Sequence, residues 1–370
     1  MKQPERILVI FDDCGPGDAL CLSFCVQALR KAHPGATLDV LVGGHAWPVF
    51  EHQEGFGKIV VSKLYGGPQG QRPLPRVLKA LELARLAMRL GRGYDITVTF
   101  LWGTTTLNVL ARWTSRNSIG YANKIPRLHA SNLGPYEPSG EPIELGIKLL
   151  ASAGISATPD VPYRRLPDML PGPAAAQVSR SSKRVVIHVG SDWACQQWQP
   201  DRWAAVADQV VSKYSAEVVF TGLANETAYI DAIRSAMLEK SVSFAGATTI
   251  VELAEVLAGA RLCVCVDSLI FELAQASGTP IVVLAGQSRT RAVVASPSRP
   301  IVVNRTTPNL RAAILACKTR VSKASYGACR NYACAMAGLR DISVTDVLEA
   351  IEAQGVLELA DHQARMAVQA

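Results

Sequence analysis

No apolar run in this sequence is long enough to span a membrane, which excludes a chain threaded through a bilayer by helices. The opening residues, MKQPERILVIFDDCGPGD, meet carboxylates before any signal-like apolar region is complete, so the expected address is the cytoplasm. Zinc-finger spacings and an aromatic RNA-binding strand are both missing, and nucleic acid is not an expected partner. There is no acidic or basic tail.

Acid is also locally absent. From Leu273 to Arg340 there is no Asp or Glu, while Arg289, Arg291, Arg299, Arg305, Arg311, Lys318, Arg320, Lys323, Arg330 and Arg340 are all basic. A one-sided run of this kind suits phosphate better than a merely solvated face, and the net charge of +7 points to polyanionic partners. Nine cysteines occur, but Cys21, Cys25, Cys263 and Cys265 lie inside apolar patterns, as reduced core residues do.

With 370 residues, nearly half of them hydrophobic, the chain can bury two domain cores. Arg6–Phe11 reads as a strand, 19–32 as an amphipathic helix and Thr37–Val42 as a strand. Strands are expected again at 59–61, 94–100 and 117–121, and helices at 77–90, 106–113 and 144–153. The stretch PDMLPGPAAAQVSRSS (167–182) is the expected linker. Beyond it the alternation restarts, with strands at 184–189, 217–221 and 242–244 and helices at 202–214, 226–238 and 250–257. The expected plan is a domain over 1–166, a second over 183–343, and a final helix and tail over 344–370. Both domains are α/β and doubly wound.

Within the second domain, LCVCVDSLIFELAQASGTPIVVLAG (262–286) reads as strand, helix, strand of a sheet buried on both faces. Ligands of such sheets bind beyond the carboxyl ends of the strands, where Asp267, Ser268 and the free N–H groups of the following helix converge. The alternative for Asp267 or Ser268 is simple helix capping. A dinucleotide fingerprint fits poorly at the N-terminus, because Gly15-Pro16-Gly17-Asp18 lacks a third glycine and the second strand ends without a ribose-binding acid.

Taken together, these motifs resemble those of glycosyltransferase family 9, the ADP-heptose:lipopolysaccharide heptosyltransferases and their relatives. The resemblance runs from about Arg6 to Ala353. It rests on strand–GxGD–helix, on YDITVTFLWG followed by IGY, on Trp198-x-Pro200-x-x-Trp203, on Gly222 and Glu226, on Ala245-Gly246 followed by LAEVLAGARLCVCVDS, and on GTPIVVLAG. It implies a GT-B fold, two Rossmann-like domains facing a central cleft, with the nucleotide sugar in the second domain and the acceptor in the first. It implies inversion at the anomeric carbon without a metal, and no Asp-x-Asp motif occurs in the chain. No cofactor is expected beside the nucleotide-sugar substrate.

By the same resemblance Asp18 is the base, with a helix cap as its alternative, and Gly17, Arg72 and Arg76 meet the acceptor, an anionic glycolipid or glycan. Ser191 matches a phosphate contact, Glu226 a ribose contact or else a first-turn helix acid, and Asp267-Ser268 the acid–hydroxyl pair at the phosphate helix. Trp198 and Trp203 read as packing residues. Three positions depart from the family pattern. Gln196 stands for a lysine, Leu269 for a glycine, and Glu272 for a histidine, which places a carboxylate where it would repel diphosphate. Arg289 and Arg291 could restore the lost charge. Cys317, Cys329 and Cys334 fall short of a zinc pattern and read as reduced thiols. The basic segment Arg72–Arg89 is expected to face acceptor phosphates or the inner membrane surface. Transfer to protein hydroxyls, or a donor-binding chain that no longer catalyses, are the other readings.

Overall fold

The computed structural model describes residues 4–11, 15–44, 46–50, 55–64, 74–100, 105–122, 132–135, 142–156, 183–190, 198–285, 298–305, 339 and 341–358. The chain forms two compact units, Met1–Arg164 with Asp168–Pro171 and Arg165–Pro167 with Gly172–Ala370. The expected linker lies outside the described residues.

The first unit runs β1 (Arg6–Phe11), α1 (Pro16–Cys21), α2 (Ser23–Ala32), β2 (Thr37–Gly43), α3 (Trp47–Phe50), β3 (Ile59–Ser62) and α4 (Arg76–Leu90). It continues with β4 (Ile96–Thr99), α5 (Thr105–Thr114), β5 (Ser118–Ala122), β6 (Asn132–Pro135) and α6 (Pro142–Ser152). All strands are parallel, in the order β3-β2-β1-β4-β5-β6. Ile7 to Phe11 are fully buried, as expected of a central strand covered on both faces.

The expected single helix 19–32 is two helices. It starts earlier, because Pro16 occupies a first-turn position where its missing N–H costs nothing, and it breaks at Leu22. Cys25 then donates its N–H to the Leu22 carbonyl at 2.9 Å, restarting the chain as α2. The expected stripe survives the break: Cys21, Cys25 and Leu29 are all buried, and among the described residues neither cysteine is in a disulfide. Helix α6 closes on α2, since a Cβ at Gly146 would lie 2.6 Å from Cys25 Sγ. On the other sheet face, α4 and α5 contribute Leu86, Leu90, Leu107 and Leu110 to a cluster with Leu8, Ile10 and Leu41. The short α3, β6 and, in the second unit, the strand Ile301–Val303 were not expected from the sequence.

The second unit runs β7 (Arg184–His188), α7 (Pro200–Tyr214), β8 (Glu217–Thr221), a 3₁₀ turn (Ala224–Glu226), α8 (Thr227–Ala236) and β9 (Val242–Ser243). Then come α9 (Ile250–Ala258), β10 (Leu262–Val266), α10 (Leu269–Ser277), β11 (Ile281–Leu284), β12 (Ile301–Val303) and α11 (Val344–Gln354). Its parallel order, β12-β11-β10-β7-β8-β9, repeats the first unit's plan strand for strand. Val185, Ile187, Leu262 and Val264 point into a core with α7, α8 and α11. On the opposite face α10 is buried along Ile270–Ser277, which suits a nine-residue helix with a single charged residue.

Trp198 and Trp203 do pack. Their rings meet edge to face at 5.0 Å, both are buried, and Trp198 Nε1–H donates to the Ile342 carbonyl at 3.1 Å. Arg202 donates to the same carbonyl at 2.7 Å, so the pair ties α7 to the segment entering α11.

Candidate active site

In each sheet the strand order reverses once, between β1 and β4 and between β7 and β10. Connections from neighbouring strands there leave in opposite directions and open a crevice beyond their carboxyl ends. The sequence-predicted residues sort onto these two points.

In the first unit, β1 ends at Phe11, whose ring stacks on Phe100 at the end of β4 with centroids 5.3 Å apart. Phe100 N–H donates to the Ile10 carbonyl at 3.1 Å, which pins the two strand ends together. The chain then enters α1 through Gly15 in an extended conformation, followed by Pro16, Gly17 and Asp18. The cap of this helix is Gly15, so the capping alternative for Asp18 is excluded; Asp18 is a partly exposed acid of the first turn. Its carboxylate turns back toward the start of the helix, for a Cβ on Gly15 would lie 3.8 Å from Asp18 Oδ2. Gly17 sits beside it in the same turn. Arg72, with Asp12 and Asp13, lies outside the described residues, as does the Arg76 side chain, although Arg76 opens α4.

The second unit is more closely built. Beyond β7, Gly190 meets the Glu226 carboxylate so tightly that a Cβ there would fall 2.0 Å from Oε2. Glu226 is 8% exposed and accepts the Leu223 N–H at 2.7 Å, so the acid both closes the 3₁₀ turn and roofs the β7 strand end. It precedes α8 rather than standing within it. Gly246 completes this wall: its φ of +68° and its approach to Ala224 leave no room for a side chain, and its N–H reaches the Gly222 carbonyl at 2.8 Å.

Beyond β10, Asp267 N–H donates to the Leu284 carbonyl at 3.2 Å, and Ser268 is the N-cap of α10. The capping expected of a serine is not performed by its side chain: no hydrogen bond runs from Ser268 Oγ to the helix, and among the described residues this buried hydroxyl has no partner. A buried hydroxyl normally finds one, and here it lies beside the free N–H groups that open a buried helix. Leu269 begins the helix. Glu272 lies one turn further, 1% exposed, with Gln275 Nε2 at 3.4 Å from its carboxylate, so it is enclosed in the protein. Ser191, Gln196, Arg289 and Arg291 lie outside the described residues, as do Cys317, Cys329 and Cys334.

Sequence reasoning passed over one group here. His188, last in β7, shares a hydrogen bond of 2.9 Å between Nδ1 and Thr221 Oγ1, and burial lowers its pKa to about 4, so it is neutral at physiological pH. The alternation in RVVIHVG, which puts His188 and Gly190 on one face, was the available signal. Among the described residues no group of three or more His, Cys, Asp or Glu side chains could hold a metal ion.

Residues 150–321 match the model of glycosyltransferase family 9 (heptosyltransferase). A Veillonella parvula glycosyl transferase of family 9 has a similar structure, with TM-score 0.73 at 19% identity over 96% of this chain and 98% of that one. The Escherichia coli ADP-heptose lipopolysaccharide heptosyltransferase II follows with TM-score 0.66 at 17% identity, covering 94% and 98%. Escherichia coli heptosyltransferase WaaC, solved with ADP, gives TM-score 0.64 at 14% identity, covering 94% and 99%. No curated protein matches the chain. The two Rossmann-like units are those of the GT-B fold.

Proposed function

We propose that this chain, which carries a family-9 glycosyltransferase domain within a GT-B fold, moves a heptose-like sugar from a nucleotide diphosphate to an acceptor hydroxyl with inversion. ADP-heptose is the donor this reading favours, supported by the ADP bound in the WaaC structure. The acceptor is a lipopolysaccharide core or similar anionic glycan, held at the membrane face. The observation that carries the reading is the division of labour between the two strand-end sites. One presents a carboxylate turned back over a glycine turn, and the other presents a helix N-terminus with an idle buried hydroxyl.

In the reaction, Asp18 accepts the proton of the acceptor hydroxyl as that oxygen forms a bond to the anomeric carbon. The bond from that carbon to the diphosphate oxygen breaks, and its electron pair leaves with the diphosphate. Ser268 Oγ–H and the first N–H groups of α10 stabilise the departing charge, aided by Ser191 and Arg289. Glu226 receives the ribose hydroxyls, Gln196 lines the donor side in place of the family's lysine, and Glu272, in place of the family's histidine, acts on that side from within the protein. Arg72 and Arg76 meet acceptor phosphates. No metal takes part.

Calorimetric titration with ADP, UDP, GDP and CDP tests the donor site, followed by turnover with the sugar donor of the base that binds. Selective binding and transfer support the reading, and transfer to protein rather than glycan names the acceptor class. Binding without turnover from any donor favours a non-catalytic chain, the outcome that Gln196, Leu269 and Glu272 would explain.

A further inference from the structure

Three large apolar side chains of the second unit stand exposed among the described residues: Leu223 at 58%, Leu238 at 93% and Val242 at 42%. Leu238 follows α8 and Val242 opens β9, so both lie at the amino ends of the strands, away from the candidate site. Leu223 lies just beyond β8, at the carboxyl ends, and leads into the turn that carries Glu226. Single exposed leucines are ordinary on a protein surface, and this one is set apart by how it is held. Its N–H donates to Glu226 Oε2 at 2.7 Å, and its carbonyl accepts the Glu226 N–H at 2.9 Å. Both backbone groups are therefore fixed by the acid that the donor reading gives to the ribose, and the apolar side chain stands at a set place beside that carboxylate.

The strand order says what belongs there. The strands β10, β7, β8 and β9 are successive neighbours, about 4.8 Å apart. Ser268 and the start of α10 follow β10, Gly190 with the Glu226 carboxylate against it follows β7, and Leu223 follows β8. A nucleoside diphosphate has the same linear order: phosphate, ribose, base. With its phosphates at α10 and its ribose at Glu226, it extends toward β8 and β9, and its base arrives at Leu223. Further along this rim Gly246 is exposed, and its φ of +68° and its approach to Ala224 keep a side chain out. The rim past Leu223 is therefore low, with width for two fused rings.

We infer that Leu223 is the apolar seat of the donor's base and gives the site a preference for purines over pyrimidines. A flat heterocycle laid on an aliphatic side chain removes apolar area from water in proportion to its size, so a bicyclic ring gains more than a single one. Because Glu226 already fixes the turn, little ordering is lost on binding. This role rests on the donor reading above and adds the side chain that holds the base.

The test is calorimetric titration of the full chain and its variants with ADP, UDP and ribose 5-diphosphate, which keeps the phosphates and the sugar but has no base. Wild type is expected to bind ADP about fivefold or more tightly than either of the others. Leu223→Ser should weaken ADP binding about five- to tenfold, narrow its lead over UDP and leave ribose 5-diphosphate unchanged. Leu223→Met should keep the wild-type values, and Leu238→Ser should change none of them. If Leu223→Ser loses its circular-dichroism signal, Leu223→Ala, expected to weaken ADP about threefold, decides. Equal wild-type affinity for ADP and UDP, ADP affinity that neither Leu223 variant lowers, or an equal loss for ribose 5-diphosphate overturns the role of Leu223 while the donor site stands. Wild type that binds none of the three ligands removes the donor reading itself, and this role with it.

Discussion

The two units share one strand order and differ in how their strand-end sites are finished. At the first, the nearest atom among the described residues to a Cβ on Gly15 is Asp18 Oδ2, at an ordinary contact distance of 3.8 Å. At the second, Gly190 is pressed onto the Glu226 carboxylate at 2.0 Å from its would-be Cβ. The same fold thus carries a glycine in ordinary contact with a partly exposed acid in one half and a tight, prebuilt wall in the other. An acceptor site must admit a large glycan and leave its base accessible. A nucleotide site gains from rigid backbone donors already in position.

The comparison can be broken in several ways. Asp18→Ala should lower kcat by about a thousandfold while leaving ADP affinity unchanged, measured by product formation and calorimetry side by side. Loss of ADP binding in that variant would merge the two sites into one. Gly190→Ala should abolish ADP binding and lower stability by about 1–3 kcal/mol in a urea melt, whereas Gly15→Ala, whose φ of −77° suits alanine, should fold normally. Equal behaviour of the two glycine variants would remove the contrast altogether.

A third prediction concerns pH. With its folded pKa near 4 below an unfolded value of 6.5, His188 binds fewer protons when folded than when unfolded between those limits. Its contribution is therefore complete above about pH 6.5 and is lost as pH falls toward 4, by at most about 1.4 kcal/mol per pH unit. Denaturant midpoints measured across that window should fall with acid, and His188→Gln should flatten the dependence. The smallest effect is expected at Ser268. Because its hydroxyl caps nothing, Ser268→Ala should change stability by no more than about 0.5 kcal/mol, where a working cap would cost about 1 kcal/mol. ADP affinity should nevertheless drop about five- to tenfold. A clear stability loss would return this serine to an ordinary capping role.

Much of this architecture was legible in the sequence because parallel strands buried on both faces read as continuous apolar runs: RILVIF and LCVCV could be little else. The packing role of Trp198 and Trp203 was legible too, since Trp203 lies within an amphipathic helix. The strands Asn132–Pro135 and Ile301–Val303 escaped because one contains glycine and proline and the other has three residues, too few for a period. The break at Leu22 was hidden because the stripe of Cys21, Cys25 and Leu29 continues across it. At the site, the motifs fall on turns that follow the strands, but what each side chain touches there is not in the pattern. That Gly15 rather than Asp18 caps α1, that Ser268 is an idle cap, and that Glu226 rests on Gly190 are consequences of backbone torsion and of contacts between distant strands. Periodicity carries none of these.

The most direct measurement is calorimetric titration of ADP into the wild-type chain, Asp18→Ala and Gly190→Ala. The account predicts equimolar binding of equal strength to the first two and none to the third. Absence of binding to the wild type, or binding that survives in Gly190→Ala and fails in Asp18→Ala, would contradict the assignment of donor and acceptor to the two strand-end sites.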